Sequence, residues 1–466
     1  MEKLTAVRRS FISPFVQEKD FDFTGGYCFE KNGSAFLLNP DVGSSILLDR
    51  DHLEEIKNKK ISDDLQFKLI QRGFMKVPGS PQCTDEESIL PRFFIIDLTQ
   101  ACNFRCTYCF RHLDETPRTI SNETLQSIID FIADYCKKTN QREIHIQPWG
   151  GEPLIAWKKI LHIHDDLQEK GIKAVLTIES NAGLITPRVA KEAYERDIRI
   201  GVSIDGLPEI HNLQRKLANG KDSFEKMRQG MQNLRDAGYG TRHGIITVLT
   251  RNTLPYLEEF LEYFAIDLKI DRFKLNIVKD SPVMKDKGLC LSNAEIIDFQ
   301  KRLLKKLIEL NKRGHSIIEL NVFDKLQNLL IRNKGNICIS RGCLGGKKMI
   351  AFDMDGRIFP CDITDYKEEA VGSVNDGEEL IPLLEKAHHK TDFFAKKESE
   401  NCASCPWWFF CKGGCTTAIK YKKGKVEGVD ELECLSNRSL YPELIRMFLE
   451  EPELVKILTK NKLEIA

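Results

Sequence analysis

The chain has 466 residues, of which 41% are hydrophobic and 30% charged, and its 69 Lys plus Arg are matched by 69 Asp plus Glu. This is the composition of a folded globular protein rather than a disordered one, and its charge balance offers no electrostatic basis for a nucleic-acid or anionic-membrane partner. No apolar run approaches the ~20 residues that span a bilayer, and Met1–Phe15 lacks both the apolar core and the cleavage site of a secretory signal, so a cytoplasmic protein is expected.

In chain order, residues 1–90 hold two apolar segments, Ser34–Leu38 and Ser44–Leu48, separated by Asn39, Pro40, Asp41 and Gly43. They read as a hairpin. Helical spacing follows over Leu53–Ile61 and Asp64–Gly73, and then a Pro- and Gly-bearing linker over Val77–Glu87. From about residue 91 to 335 the pattern alternates between strand and helix. Strands are expected at Phe93–Leu98, Glu143–Gln147, Ala174–Ile178, Ile198–Ile204, Gly244–Leu249 and Arg272–Ile277. Helices are expected between them, such as Asn122–Lys137, capped by Ser121 or Asn122, and Pro187–Arg196, begun by Thr186. Six βα units in series imply a parallel sheet curled into a partial (β/α)6 barrel of the TIM type, with chemistry at the C-terminal strand ends. Residues 336–440 are rich in cysteine and poor in regular structure, and 441–466 read as a closing helix over Tyr441–Lys460. The fold class is therefore α/β.

Fifteen cysteines in a cytoplasmic chain are unusual. A reducing compartment argues against disulfides, and an odd count crowded into two clusters argues for metal ligation. After the first strand comes Cys102-Asn-Phe-Arg-Cys106-Thr-Tyr-Cys109-Phe110. Three thiolates on one loop can hold an iron–sulfur cluster and leave one iron free for an external ligand. Zinc prefers four ligands from paired motifs and fits a triplet poorly.

The spacing resembles the signature of the radical SAM superfamily, Cys-x3-Cys-x-aromatic-Cys. The resemblance implies that the open iron of a 4Fe–4S cluster chelates S-adenosylmethionine (SAM) and that electron transfer releases a 5′-deoxyadenosyl radical. Tyr108 falls on the aromatic position, and Phe110 follows the last cysteine. Other residues then take expected roles at the SAM site. Gly150, Gly151 and Glu152 resemble the motif for the SAM amino group. Ser180 and Asn181 match a Thr-Asn-Gly-Thr motif from which this chain departs by one inserted residue, Ala182. Ser203 opens a Ser-Ile-Asp-Gly sequence, and Arg215 would pair with the SAM carboxylate bidentately. Read alone, Gly-Gly-Glu is as readily a turn, and Arg215 a surface ion pair. His145, His211 and His243 read as polar packing residues.

The second cluster comprises Cys338, Cys343, Cys361, Cys402, Cys405, Cys411, Cys415 and Cys434. By spacing alone, two zinc sites remain possible. The pattern Gly-x4-Cys, Cys-x2-Cys-x5-Cys-x3-Cys, Cys resembles the SPASM domain, which implies two auxiliary 4Fe–4S clusters. Carried over, the first uses Cys338, Cys343, Cys361 and Cys415, and the second Cys402, Cys405, Cys411 and Cys434. Asp362 matches the Pro-Cys-Asp of anaerobic sulfatase-maturating enzymes, where the carboxylate is a catalytic base; otherwise it is a capping or surface Asp. Cys28, Cys83, Cys136 and Cys290 read as plain thiols.

Radical SAM enzymes with SPASM domains mainly modify peptides and proteins, which implies a precursor peptide as substrate and a flavodoxin or ferredoxin as electron donor. The N-terminal region resembles the small winged-helix-like domain with which peptide maturases bind a leader as an added strand, and also that of His-Xaa-Ser-system maturases. The expected activity is that of a peptide maturase. The alternatives are a sulfatase-maturating enzyme and a non-enzymatic metal-binding scaffold.

Overall fold

The computed structural model of the chain describes residues 7–9, 22–23, 26–39, 43–58, 60–76, 88–111, 116–240, 243–280, 284, 287–331, 336–338, 342–362, 369–390, 392–394 and 399–460. Most of the expected signal-free start, the whole linker at Val77–Glu87 with Cys83 in it, and Pro40 and Asp41 lie outside the described residues.

The expected N-terminal hairpin is present: Ser34–Asn39 pairs antiparallel with Ser44–Leu48. A strand that sequence reading missed, Gly26–Lys31, precedes it, and Val7–Arg9 adds at the edge. Alternation along the strands gives the sheet two apolar faces. Ala35, Leu37 and Leu48 pack with Leu53, Ile56, Leu65 and Leu69 from two short helices, while Tyr27, Phe29, Phe36 and Leu38 join the main core. The helices run Arg50–Lys57 and Asp63–Gln71, earlier than expected, because Asp49 and Ser62 cap them by accepting from the amides of His52 and Leu65.

All six expected parallel strands are present: β1 (Phe93–Thr99), β2 (Glu143–Gly150), β3 (Lys173–Ser180), β4 (Arg199–Ser203), β5 (Gly244–Leu249) and β6 (Arg272–Ile277). They lie side by side in chain order, the arrangement expected of a partial barrel. Ser121 accepts from Thr124 N to begin the helix Asn122–Lys138, and Thr186 accepts from Val189 N with Pro187 in the first turn of Pro187–Glu195.

Two expectations for the C-terminal third are corrected. The segment after residue 335 is not poor in regular structure: β7 (Met349–Phe352) lies parallel to β1 and extends the same sheet, followed by the antiparallel strands Arg357–Phe359 and Gly372–Ser373. The closing helix does not begin at Tyr441. It spans Glu431–Glu450 with Pro442 inside, and a second helix covers Pro452–Thr459. An interior proline costs a helix roughly 3 kcal/mol, and burial of Tyr441, Leu444, Ile445 and Phe448 around it offsets that cost. No helix among the described residues is long and apolar enough to cross a membrane.

Candidate functional site

Beyond β1 the chain turns into a short strand, Phe104–Cys106, anchored by the fully buried Phe104 ring. That strand pairs antiparallel with Arg215–Leu217, with Cys106 opposite Arg215. Backbone pairing therefore fixes Arg215, which is buried, beside the cysteine loop. Cys102, Cys106 and Cys109 all line one cavity of about 550 Å³ at the C-terminal ends of the strands. Burial pushes the Cys102 thiol up to about 11 and the Cys106 thiol to about 12. Only a strongly cationic ligand would draw thiolates from such groups, as metal binding does. Among the described residues no three His, Cys, Asp or Glu side chains converge closely enough to hold a single metal ion. A four-iron cubane asks for a looser arrangement, with one thiolate per iron.

The Gly-Gly-Glu sequence is explained by close packing. Gly150 has φ +149°, and a Cβ there would lie 2.4 Å from the Thr99 carbonyl oxygen; a Cβ at Gly151 would lie 2.4 Å from that of Ala101. The amides of Gly151 and Glu152 donate to those same carbonyls at 2.7 and 2.9 Å, which ties the motif to the loop entering Cys102. Glu152 is buried and accepts from Ser180 Oγ at 2.8 Å, Asn181 N at 2.9 Å and Leu154 N at 3.2 Å. Burial raises its carboxyl above the usual carboxylate range against the pull of these bonds. Ser180 and Asn181 thus support Glu152, and Asn181 Nδ2 also donates to Asn103 Oδ1 at 2.8 Å. Ala182 adopts a left-handed turn conformation, at φ +60°.

Around Arg215, the Tyr108 hydroxyl donates to Asp205 Oδ2 at 2.5 Å, and Arg215 Nη1 donates to the Tyr108 oxygen. Asp205 lies 3.6 Å from Arg215 and accepts from Val248 N at 3.0 Å. Arg215 Nε is buried with no hydrogen-bond partner among the described residues. A guanidinium held by one side and open on the other suits a carboxylate ligand, so the residues present fit SAM and a three-thiolate cluster. His211 is a packing residue, as expected: its Nδ1 receives Asp205 N at 3.4 Å and its Nε2 meets Ser223 Oγ at 3.1 Å. Ser203 and Phe110 line the same cavity.

Several of the C-terminal cysteines lie near one another. Cys338 lies within electrostatic reach of Cys343 and Cys415, and Cys343 packs in the same apolar cluster as Cys361. Cys405 lies near Cys402 and Cys434, and Cys411 near Cys434. Cys338 and Cys415 share the cavity wall with the first cysteine loop. Asp362 is absent from that wall; it accepts from Cys361 Sγ at 3.2 Å, and burial raises its carboxyl.

Sequence reading missed Asp205 as a site residue, and with it Gln214, which donates to Asp205 at 3.4 Å. It also missed Glu179, Lys274 and Trp149 on the cavity wall. The signal was available for Asp205, as the third residue of Ser-Ile-Asp-Gly. For the others it lay only in strand register.

Comparison with known families matches residues 96–264 to the Radical SAM superfamily. The cysteine-type anaerobic sulfatase-maturating enzyme of Clostridium perfringens (strain 13) is 26% identical over 335 residues, covering 68% of this chain and 86% of that protein. The radical SAM cyclopropyl synthase TigE of Paramaledivibacter caminithermalis is 23% identical over 457 residues, covering 91% of each. Among solved structures, anSMEcpe with bound AdoMet and the Cp18Cys peptide superposes with a TM-score of 0.67 at 23% identity, covering 80% of this chain and 100% of that one. Streptococcus suis SuiB bound to its precursor peptide SuiA gives 0.55 at 15% identity, covering 86% and 96%.

Proposed function

Residues 96–264 are a radical SAM domain and the chain is an enzyme related to radical SAM maturases, and from that premise we propose that it is a peptide maturase that modifies a ribosomally made precursor. The observation that carries this reading is one continuous cavity whose wall includes both Cys102, Cys106 and Cys109 and the C-terminal Cys338 and Cys415.

In this reading Cys102, Cys106 and Cys109 hold a 4Fe–4S cluster that, with SAM, supplies the deoxyadenosyl radical for hydrogen abstraction. Arg215, steadied by Tyr108 and Asp205, binds the SAM carboxylate. Gly150 and Gly151 bring the backbone close to the SAM amino group, and Glu152 fixes that turn. Residues 336–440 form a SPASM domain with two further clusters on the expected cysteine sets. Residues 1–90 recognise the precursor. Support for this last point comes from coverage of the chain: in sequence TigE covers 91%, against 68% for the sulfatase-maturating enzyme, and in structure SuiB covers 86%, against 80% for anSMEcpe. The carbon–carbon or thioether crosslink expected of such enzymes fits a product two hydrogens lighter than its precursor.

The test is anaerobic incubation of the reconstituted chain, SAM and dithionite with the short peptide encoded beside its gene, followed by mass spectrometry. Loss of hydrogen from that peptide supports the reading. Modification of only a sulfatase-derived peptide, with a cysteine or serine turned to an aldehyde, would replace it by the sulfatase-maturase reading.

A further inference from the structure

Besides Arg215, two residues on the cavity wall carry a buried polar atom that makes no hydrogen bond among the described residues: Trp149 on β2, at Nε1, and Glu179 on β3, at Oε2. The two strands are neighbours in the sheet. Neither side chain has a structural partner of the kind that Glu152 has, with three donors on its carboxylate. Room for the Glu179 carboxylate is made by Gly201, its register partner on β4: a Cβ there would lie 2.1 Å from Oε2. Burial pushes the Glu179 carboxyl up to about 7, and the one nearby charge pulling it back is Lys274, which lines the same cavity. A desolvated donor and a desolvated acceptor on neighbouring strands are costly unless an occupant satisfies both.

We propose that Trp149 and Glu179 form a subsite that grips a backbone amide of the peptide substrate, the indole N–H donating to its carbonyl and the carboxylate accepting from its N–H. The proposal rests on the peptide reading above and deepens it. A cationic substrate group fits less well, because an indole N–H can only donate and the wall also carries Arg111, Arg215, Lys274, Lys279 and Lys325. An amide presents one donor and one acceptor and is neutral.

The experiment uses the full chain, reconstituted with iron and sulfide, loaded with SAM and labelled with fluorotryptophan. It has four tryptophans, and loss of one signal in Trp149→Phe identifies the relevant residue. The probes are N-methylacetamide and N,N-dimethylacetamide, which lacks the N–H. The expected result is a saturable shift of the Trp149 signal with N-methylacetamide and at least tenfold weaker binding of the dimethyl compound. Glu179→Ala removes the preference between the two probes. Gly201→Ala, which displaces the carboxylate without deleting it, also weakens it, and Glu179→Gln, which keeps an acceptor oxygen, retains it. Equal binding of the two probes by the wild type, or no movement of the Trp149 signal, overturns the proposal. Failure of the peptide-maturase reading shows separately, as an unmodified precursor in the presence of normal amide binding.

Discussion

The Tyr108 hydroxyl reaches Asp205 Oδ2 at 2.5 Å while receiving Arg215, so the aromatic residue of the cysteine loop and the acidic residue after β4 share one buried polar contact. The loop that positions the three thiols is thereby joined to the residue proposed to hold the SAM carboxylate. The junction is doubled by the backbone pairing of Cys106 with Arg215.

Arg215→Lys tests this junction. Lysine keeps the charge but loses the fork that serves Tyr108 and a carboxylate together. A charge-assisted hydrogen bond is worth roughly 1.5–3 kcal/mol, so the Kd for SAM is expected to rise by about tenfold or more. The iron content should be unchanged. Equilibrium binding of SAM to the reconstituted protein is the measurement.

Gly151→Ala should disturb the same site through the backbone. The new Cβ would lie 2.4 Å from the Ala101 carbonyl oxygen, one residue before Cys102. The cysteine loop or the Gly-Gly turn must move. SAM binding is expected to weaken by about tenfold or more, as misplacement near a site does, with iron at the C-terminal cysteines retained.

Much of this was legible in the sequence, and for physical reasons. The β-branched runs from Phe93 to Ile277 form buried parallel strands because nothing else can shelter them, and local spacing alone brings Cys102, Cys106 and Cys109 to one loop. What was not legible depends on distant partners. β7 is a strand because Met349–Phe352 finds the free edge of β1. Glu431–Glu450 runs through Pro442 because Tyr441 stacks on Trp407, with centroids 5.0 Å apart. Glu179 and Trp149 became visible only once the register showed which face of each strand turns inward.

His243 gives a pH prediction. It is 2% exposed, and burial holds its imidazole down at about 4, below the ordinary histidine value of 6.5. The unfolded chain binds that proton at higher pH than the folded one does. The contribution to stability is therefore fully present above pH ~6.5 and is lost as pH falls toward 4, by up to about 3 kcal/mol. His243→Leu should flatten that part of the profile, followed by urea unfolding between pH 8 and pH 4.

The N-terminal sheet is locked to the C-terminal cysteine region by Phe29, which stacks on Trp407 at 5.8 Å, and by Tyr27, whose hydroxyl donates to Ser404 O at 2.7 Å. Phe29→Ala should cost about 3–5 kcal/mol, as loss of a fully buried aromatic does. Phe67→Ala, at a side chain 59% exposed on the helix Asp63–Gln71, should cost less than about 0.5 kcal/mol. Urea unfolding of the two variants compares them directly.

The most direct test of the central claim is the iron content of the anaerobically reconstituted chain together with SAM cleavage under dithionite. Three cubanes held by thiolates require about twelve irons per chain. The expected result is that count with 5′-deoxyadenosine formed, and about four fewer irons with no deoxyadenosine after Cys102, Cys106 and Cys109 are all replaced by alanine. Zinc without iron, or deoxyadenosine still formed by the triple variant, would contradict it.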